Sequence, residues 1–147
     1  LKIKMGDNLA TFEIKDLFPG KGFSFEKKIS SGDVNMFANL TGDNSPLHME
    51  DGFAQERGFK SRLVHGGLLV GCISQLVGVH FPGKNAIIQT LNIKFSHPAY
   101  IGDTLKIDSI VDQVSESVKT VIIKLTITNQ ETGQILLKSK VQVGFTS

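Results

Sequence analysis

The polar residues between positions 41 and 48 form the densest group of chemically useful side chains in the sequence. Asp43 and His48 lie five residues apart within this segment, and Pro46 stiffens the chain between them. A histidine titrates near neutral pH while an aspartate stays ionised, so such a pair can hold a water molecule and move protons to and from it. The alternative is an Asx turn at Asp43 beside a surface histidine, because an aspartate and a histidine in one segment are a weak motif.

A second candidate site begins at His65, Gly66 and Gly67, which open the most apolar part of the chain. The first N–H groups of a helix have no partner within the helix and lie at the positive end of its dipole. Glycine lets a ligand approach these groups closely, so the segment can polarise a carbonyl or stabilise an oxyanion. Alternatively, the glycines only permit close packing of the helix against a sheet. We expect His65 to be a supporting or packing residue rather than a catalyst.

Metal binding is the other chemistry that these side chains could perform, since Asp43, His48 and His65 would supply a carboxylate and two imidazoles. No two of them have the short helical spacing of a zinc site, and the chain has no second cysteine, so we expect no metal. Cys72 lies in the middle of the apolar segment and should be an inert core residue. A single cysteine excludes an internal disulfide framework and is typical of a reducing compartment.

Length and composition exclude several classes of protein. A chain of 147 residues suits one domain over 1–147, and 40% hydrophobic against 20% charged residues argues against disorder. The 16 basic and 14 acidic residues leave a net charge of +2, which excludes a polybasic nucleic-acid arm. The apolar window 63–81 is interrupted by histidines and glycines, so we expect no membrane span. Arg57, Lys60 and Arg62 form a basic cluster before the apolar helix, which could bind phosphates or be a solvated face.

The elements that must position the candidate residues follow from the spacing of apolar residues. We predict helices from Ser30 or Ser31 to Gly42, over 50–58 and over 67–79, the last apolar on nearly every side and therefore buried. Short strands are expected at 10–14 and 23–25. Period-two alternation predicts four more strands between 87 and 145, joined as an antiparallel meander. The first of these should place on one face Ile87, Gln89, Leu91, Ile93 and Phe95.

A sheet bent around one buried helix is an α+β arrangement. Such a sheet leaves an edge or a face that a second copy of the chain can cover. We therefore expect a homodimer.

The segments described above, taken together, resemble the MaoC-like dehydratases, a family that includes the (R)-specific enoyl-CoA hydratases, also called hydratase 2. The matching residues are 37–48, 53–54 and 64–66, with further matches at 81–83, 95–98 and 100–103. The likeness covers the chain from about residue 25 to its C-terminus. It implies the hot-dog fold of this family, in which an antiparallel sheet wraps around one long central helix and the chain usually dimerises.

The resemblance also implies roles for individual residues. Asp43 and His48 would activate water for addition to the double bond of a 2-enoyl thioester, or remove water from an (R)-3-hydroxyacyl thioester. The N–H of Gly66 would polarise the thioester carbonyl, and Ser74 matches a serine that supports the site in some members. Many members carry Asn two residues after the aspartate, where this chain has Ser45, whose shorter side chain can still hydrogen-bond a water or orient His48.

The expected substrate is an acyl thioester of CoA or of acyl-carrier protein, with no cofactor besides the thioester itself. Two other functions remain open: a hot-dog thioesterase and a non-catalytic acyl-thioester-binding subunit. Many thioesterases of this fold place a carboxylate on the central helix, and residues 67–79 contain neither Asp nor Glu. We expect no nucleic-acid or membrane partner. The expected compartment is the cytoplasm or the mitochondrion.

Overall fold

The computed structural model describes residues 8–146. Five strands form one antiparallel sheet in the order β1-β3-β4-β5-β2. The strands are β1 (Gly22–Lys28), β2 (Ala86–Phe95), β3 (Thr104–Ser115), β4 (Thr120–Asn129) and β5 (Ile135–Phe145). One face of the sheet packs against a central helix, which confirms the predicted α+β, hot-dog arrangement.

The helices lie between β1 and β2 in the chain. They are α1 (Ser31–Thr41), α2 (Pro46–Met49), α3 (Asp51–Glu56) and the central helix α4 (Gly66–Gln75), which continues into a π-helical turn over Leu76–His80. In the described chain no helix is both long and apolar enough to cross a membrane.

The core lies between α4 and the inner face of the sheet. Alternate residues of each strand point to this face because side chains alternate along a strand, and they meet the apolar side of α4. The buried residues at this contact are Leu69, Ile73 and Leu76 from the helical segment and Leu105, Ile107, Val111, Val121, Ile123, Leu125, Ile127, Leu137, Val141 and Val143 from the sheet.

Helix α1 has well-defined ends, which fix where the candidate site begins. The Ser30 side chain accepts a hydrogen bond from the N–H of Asp33 and the Asp33 carboxylate accepts one from the N–H of Ser30, so the two form a capping box. The helix stops at Gly42, whose φ of 77° is left-handed and therefore favours glycine. Both predicted ends of this helix are confirmed, and the chain turns at Gly42 into the segment that holds Asp43.

The predicted four-strand meander is wrong in one strand. Strands β3, β4 and β5 are neighbours in sequence order, but β2 pairs with β5 at the edge of the sheet and not with β3. Alternation along a strand shows which side chains share a face, but it contains no information on which strand lies beside it. The consequence is that β2 has one unpaired edge among the described residues.

A β-bulge at Gln89 also changes which face the start of β2 presents. The pairing of β2 with β5 shifts between Ile88 and Thr90, so the extra residue reverses the alternation. Ile88 and Ile93 both pack against the core, while Ile87, which we predicted on the same face as Ile93, is 53% exposed.

Two further predictions need correction. Residues 10–14 form no strand but an isolated bridge from Thr11 to Gly83, followed by a 3-10 turn over Ile14–Asp16. Helix α4 is not buried on every side, because a stripe of small residues is exposed along it. These residues are Gly67, Gly71, Ser74 and, in the following π-helical turn, Gly78.

Candidate active site

The predicted helices end at Gly42 and resume at residue 50, which would leave both Asp43 and His48 in a loop. The structure differs for His48. Pro46 begins the short helix α2, and His48 lies on this helix rather than on a turn before it. Proline suits the first position of a helix because its φ is already helical and its missing N–H would have no partner there.

The structure brings three of the predicted residues together. The carboxylate of Asp43, a ring nitrogen of His48 and a ring nitrogen of His65 all lie within 4.8 Å of one another. Asp43 is exposed, His48 is half-buried and His65 is only 1% exposed. The cluster therefore has an open side at Asp43 and a closed side at His65.

The hydrogen bond of His48 decides which of its ring nitrogens can act as a base. Nδ1 lies 2.8 Å from the carbonyl oxygen of Leu63. A carbonyl oxygen can only accept, so Nδ1 must carry the hydrogen and the neutral ring keeps its lone pair on Nε2. The ring is thus held in the tautomer that a general base requires.

His65 connects the two parts of the site. Its Nε2 lies 2.8 Å from the backbone carbonyl oxygen of Asp43 and by the same reasoning donates to it. Its ring stacks on that of His48, with centroids 4.0 Å apart, and packs against Phe37 on its other side at 4.7 Å. The Nδ1 atom of His65 is buried and has no hydrogen-bond partner among residues 8–146. These contacts agree with the supporting role expected for His65, which stays a prediction.

Gly66 begins helix α4 directly after His65. Its N–H lies in the first turn, where backbone donors lack partners within the helix, and the His65 side chain does not cap this end. A Cβ atom at Gly66 would lie 3.1 Å from Cζ of Phe95, and one at Gly67 would lie 2.7 Å from Cζ of Phe37. The two glycines thus permit close packing, as one interpretation of this motif has it. The other, that their N–H groups polarise a carbonyl, stays a prediction.

A cavity of about 330 Å³ opens beside His48 and Gly66. Its wall is mainly apolar, and it is formed by the start of α4 and by the chain that leaves the end of β2. The lining residues are His48, Phe59, Leu63, Val64, Gly66, Leu69, Phe95, Ser96, His97, Pro98 and Ala99.

The two serines among the predicted site residues lie in different places. Ser45 donates its backbone N–H to Oδ1 of Asp43 at 3.3 Å, so the Asx turn that we considered as an alternative is present. This bond uses one carboxylate oxygen and leaves the other for a ligand. Ser74 lies on the exposed stripe of α4, two turns beyond Gly66. Its supporting role stays a prediction.

Arg62 is a site residue that the sequence analysis did not identify as one. Its Nε donates to the carbonyl oxygen of His48 at 2.6 Å, and its Nη2 donates to Oδ1 of Asn35 at 2.6 Å. It therefore ties helix α2 to helix α1. The basic cluster predicted from Arg57, Lys60 and Arg62 is divided, because Arg57 lies over the ring of Phe53 and Lys60 over that of Tyr100. No local signal could have found the Arg62 contact, which joins residues 14 positions apart in sequence.

The groups of Asp43, His48 and His65 are also the cluster that could hold a metal ion within the part of the chain that the structure describes. Both histidines direct one ring nitrogen at a backbone carbonyl, an arrangement that suits a metal ligand as well as a base. The expectation that no metal binds therefore stays a prediction. The arrangement can perform proton transfer to and from a water held at its open side.

Comparison with known proteins shows which family this chain belongs to. A model of the MaoC-like domain matches residues 18–135. An (R)-specific enoyl-CoA hydratase from Rhodospirillum rubrum is 33% identical over 137 residues, which are 93% of this chain and 94% of the relative. A mitochondrial 3-hydroxyacyl-[acyl-carrier-protein] dehydratase from Arabidopsis thaliana is 38% identical over 76 residues, 52% of this chain and 45% of the relative.

Solved structures agree with this. The (R)-hydratase from A. caviae involved in PHA biosynthesis superposes with a TM-score of 0.84 at 27% sequence identity. The match covers 89% of this chain and 98% of that one. The fold predicted from the sequence is therefore shared with a hydratase over nearly the whole length of both chains.

Proposed function

Because the chain belongs to the MaoC-like domain family and is a hydro-lyase, we propose that it adds water to 2-enoyl thioesters and removes it from (R)-3-hydroxyacyl thioesters. One observation carries this proposal. The carboxylate of Asp43 lies within 4.8 Å of a ring nitrogen of His48, and His48 lines the same apolar cavity as Gly66, which begins α4.

His48 would act as the base in the hydration direction. Its Nε2 has the lone pair, because Nδ1 donates to Leu63, and it removes a proton from a water held between the ring and Asp43. The hydroxyl oxygen then forms a bond to C3 of the enoyl group. Ionised Asp43 stabilises the imidazolium that results and orients the water, and its exposed position leaves room for that water.

The electron pair of the C2=C3 double bond moves towards the thioester carbonyl as the C3–O bond forms. The N–H of Gly66 would donate to this oxygen, where negative charge develops, and the positive end of the α4 dipole acts on the same atom. The charge then returns to C2, which takes up a proton from the Asp43–His48 pair. Water is thereby added across the double bond, and the pair regains its initial protonation state.

The acyl group would occupy the apolar cavity beside the pair. Phe59, Leu69 and Phe95 provide much of its lining, and burial of each CH₂ of an acyl chain among such side chains is worth about 0.8 kcal/mol. The volume of this cavity, about 330 Å³, is within the range of ligand pockets.

Hydration of crotonyl-CoA, followed by the loss of the enoyl-thioester absorbance, tests the proposal. Asp43→Ala and His48→Ala should each lower kcat by at least about 100-fold, because each removes one partner of the proton transfer. Full activity in both variants would refute the assignment. Release of free thiol without loss of the double bond would instead indicate a thioesterase, and binding without turnover would indicate a non-catalytic subunit.

The same assay tests whether the reaction needs a metal ion. We expect activity to survive prolonged treatment with a chelator, because the proton transfer above uses only side chains and water. Loss of activity that zinc restores would assign Asp43, His48 and His65 to a metal centre instead.

The proposal includes the carrier of the acyl group, which is CoA or acyl-carrier protein. It also includes the compartment, which is the cytoplasm or the mitochondrion. The Arabidopsis relative supports a carrier-protein substrate and a mitochondrial location, and the Rhodospirillum relative supports CoA. The single cysteine, Cys72, which is buried, agrees with a reducing compartment. No cofactor besides the thioester is required by the proposed chemistry.

A homodimer is the proposed assembly. Strand β2 has an unpaired edge in the described chain, and Leu91 and Phe95 on it are 40% and 52% exposed. An open edge with apolar side chains is a site at which another chain pairs. Light scattering after gel filtration should give twice the mass of the chain, 16.0 kDa, and Leu91→Lys should lower it towards the monomer.

A further inference from the structure

The outer face of the sheet, which is turned away from α4, has a groove lined by four lysines. Lys94 comes from β2, Lys124 from β4, and Lys138 and Lys140 from β5. The volume of the groove is about 390 Å³, and its other polar lining residues are Asn92, Thr126 and Ser139. We call it the basic groove.

The strand register forces the lysines of the basic groove close together. Lys94 lies directly opposite Lys138 across β2 and β5, and Lys124 lies directly opposite Lys140 across β4 and β5. Neighbouring strands are about 5 Å apart, and like charges in directly opposed positions destabilise a sheet. Opposed lysines without a neutralising carboxylate are therefore a cost to the fold that a bound anion would reduce.

The charge of the basic groove is only partly neutralised. The carboxylate of Asp112 lies 3.3 Å from Nζ of Lys124 and 3.8 Å from Nζ of Lys140. Over residues 8–146, neither Lys94 nor Lys138 has a carboxylate within 4.0 Å. Four lysines and one aspartate leave a charge of +3, whereas the whole chain has only +2, so the positive charge of the protein is concentrated here.

The geometry favours the carboxylates of an acidic protein surface, rather than a phosphate group, as the anions that the basic groove binds. Phosphate sites use arginine forks or a cradle of free backbone N–H groups. The basic groove has no arginine, and the N–H groups of β4 and β5 beneath it are engaged in the strand ladder on both sides. Lysines spread over three strands of an open surface match several carboxylates at separate positions.

The basic groove and the candidate active site meet at the end of β2. Lys94 directly precedes Phe95, which lines the cavity beside His48, and Lys138 directly follows Leu137, the cross-strand partner of Phe95. The basic groove and the cavity therefore use neighbouring residues on opposite faces of the end of β2, so an arm that joins them must pass this end of the strand.

We propose that the basic groove is the docking surface for an acidic carrier protein that presents the acyl thioester on its flexible arm. The proposal rests on the proposed function and names the carrier for it. It predicts that the lysines of the basic groove contribute to the binding of a substrate carried by acyl-carrier protein, and do not contribute to the binding of the same acyl group on CoA.

The experiment compares one crotonyl group on acyl-carrier protein and on CoA. The groove variant is Lys94→Glu/Lys138→Glu, and the charge-matched control is Lys28→Glu/Lys84→Glu, two exposed lysines outside the groove. In the groove variant we expect KM for the carrier-bound substrate to rise about tenfold or more, since two attractions become repulsions. Both kcat values and the KM for crotonyl-CoA should stay within about twofold of wild type, which also shows that the variant folds.

Several results would overturn the docking proposal. These are an unchanged KM for the carrier-bound substrate, an equal rise in the control variant, and an equal rise for crotonyl-CoA, which would mean that the groove binds the phosphates of CoA. A direct binding measurement, fluorescence anisotropy of labelled acyl-carrier protein against the wild type and both variants, does not depend on turnover. If the wild type binds the carrier through the groove and hydrates neither substrate, docking stands and the proposed function fails.

Discussion

The imidazole rings of His48 and His65 are stacked, with their centroids 4.0 Å apart and an angle of 28° between their planes. Each ring also donates a hydrogen bond to a backbone carbonyl in the segment of the other histidine. His48 donates to Leu63, which lies two residues before His65, and His65 donates to Asp43, which lies five residues before His48. The segment of the proposed catalytic pair is thus bound twice to the segment that begins α4. The position of Asp43 relative to Gly66 depends on these contacts.

His65 should therefore be a positioning residue, and its replacement should lower kcat. His65→Leu removes both the stacked ring and the donor to Asp43, and a misplaced proton-transfer pair costs about 10- to 100-fold in rate. His65→Gln, which keeps a donor, should retain more activity. Steady-state kinetics with crotonyl-CoA, together with urea unfolding of both variants, separates this effect from lost stability. A kcat for His65→Leu within twofold of wild type, at equal stability, would show that His65 only packs.

Adding a methyl group at the start of α4 should impair catalysis for a steric reason that a second substitution can test. Gly66→Ala places Cβ 3.1 Å from Cζ of Phe95, so either the ring or the N–H that we assign to the thioester carbonyl must move. We expect kcat/KM to fall about tenfold, and Phe95→Leu in the same chain to recover part of it. Gly52→Ala in α3 is the matched control, because a Cβ there meets nothing within 4 Å. No change in Gly66→Ala would argue that this N–H has no role.

Arg62→Lys should loosen α2 although it keeps the positive charge. A lysine cannot donate both to the carbonyl of His48 and to Asn35, since it lacks the planar fork of arginine. The loss of one charge-assisted hydrogen bond should lower the free energy of unfolding by about 1.5–3 kcal/mol, measured by urea titration. Arg57→Lys, at an exposed residue over the ring of Phe53, should change it far less. Equal effects of the two substitutions would mean that Arg62 does not hold α2.

The stability of the protein should rise with pH across the range in which His80 titrates. Burial, and secondarily the charge of Lys27, lowers the pKa of His80 below its ordinary value of 6.5, and its ring lies against Phe23 and Phe25. The unfolded chain therefore binds a proton at a pH where the folded chain does not, so stability is complete above about pH 6.5 and falls as the pH drops towards the lowered value.

Urea unfolding of the wild type and of His80→Gln between pH 5 and pH 8 checks this, since the difference between the two chains isolates one group. The variant should show a smaller loss of stability at the acidic end. Parallel curves would assign the pH dependence to other residues.

Much of the fold could be predicted because it depends on local patterns. Alternation identified β3, β4 and β5, and a capping serine at Ser30 or Ser31 together with Gly42 indicated both ends of α1. The bulge at Gln89 was not predictable, since an extra residue is tolerated or not according to the partner strand. The same holds for the place of β2 beside β5, which is a pairing between distant segments.

The sequence by itself determined which groups are available for chemistry: the order of Asp43, His48 and Gly66, and the glycines that let a helix begin there. Only the tertiary structure decided what holds these groups. The contacts that hold them join segments 14 to 22 residues apart in sequence. They are the stacking of His48 on His65, the hydrogen bonds of these rings to Leu63 and Asp43, and the link from Arg62 to His48. Such contacts form when α4 packs on the sheet, and no periodicity within one segment encodes them. The pairs of opposed lysines on the outer face likewise exist only through the register of three strands.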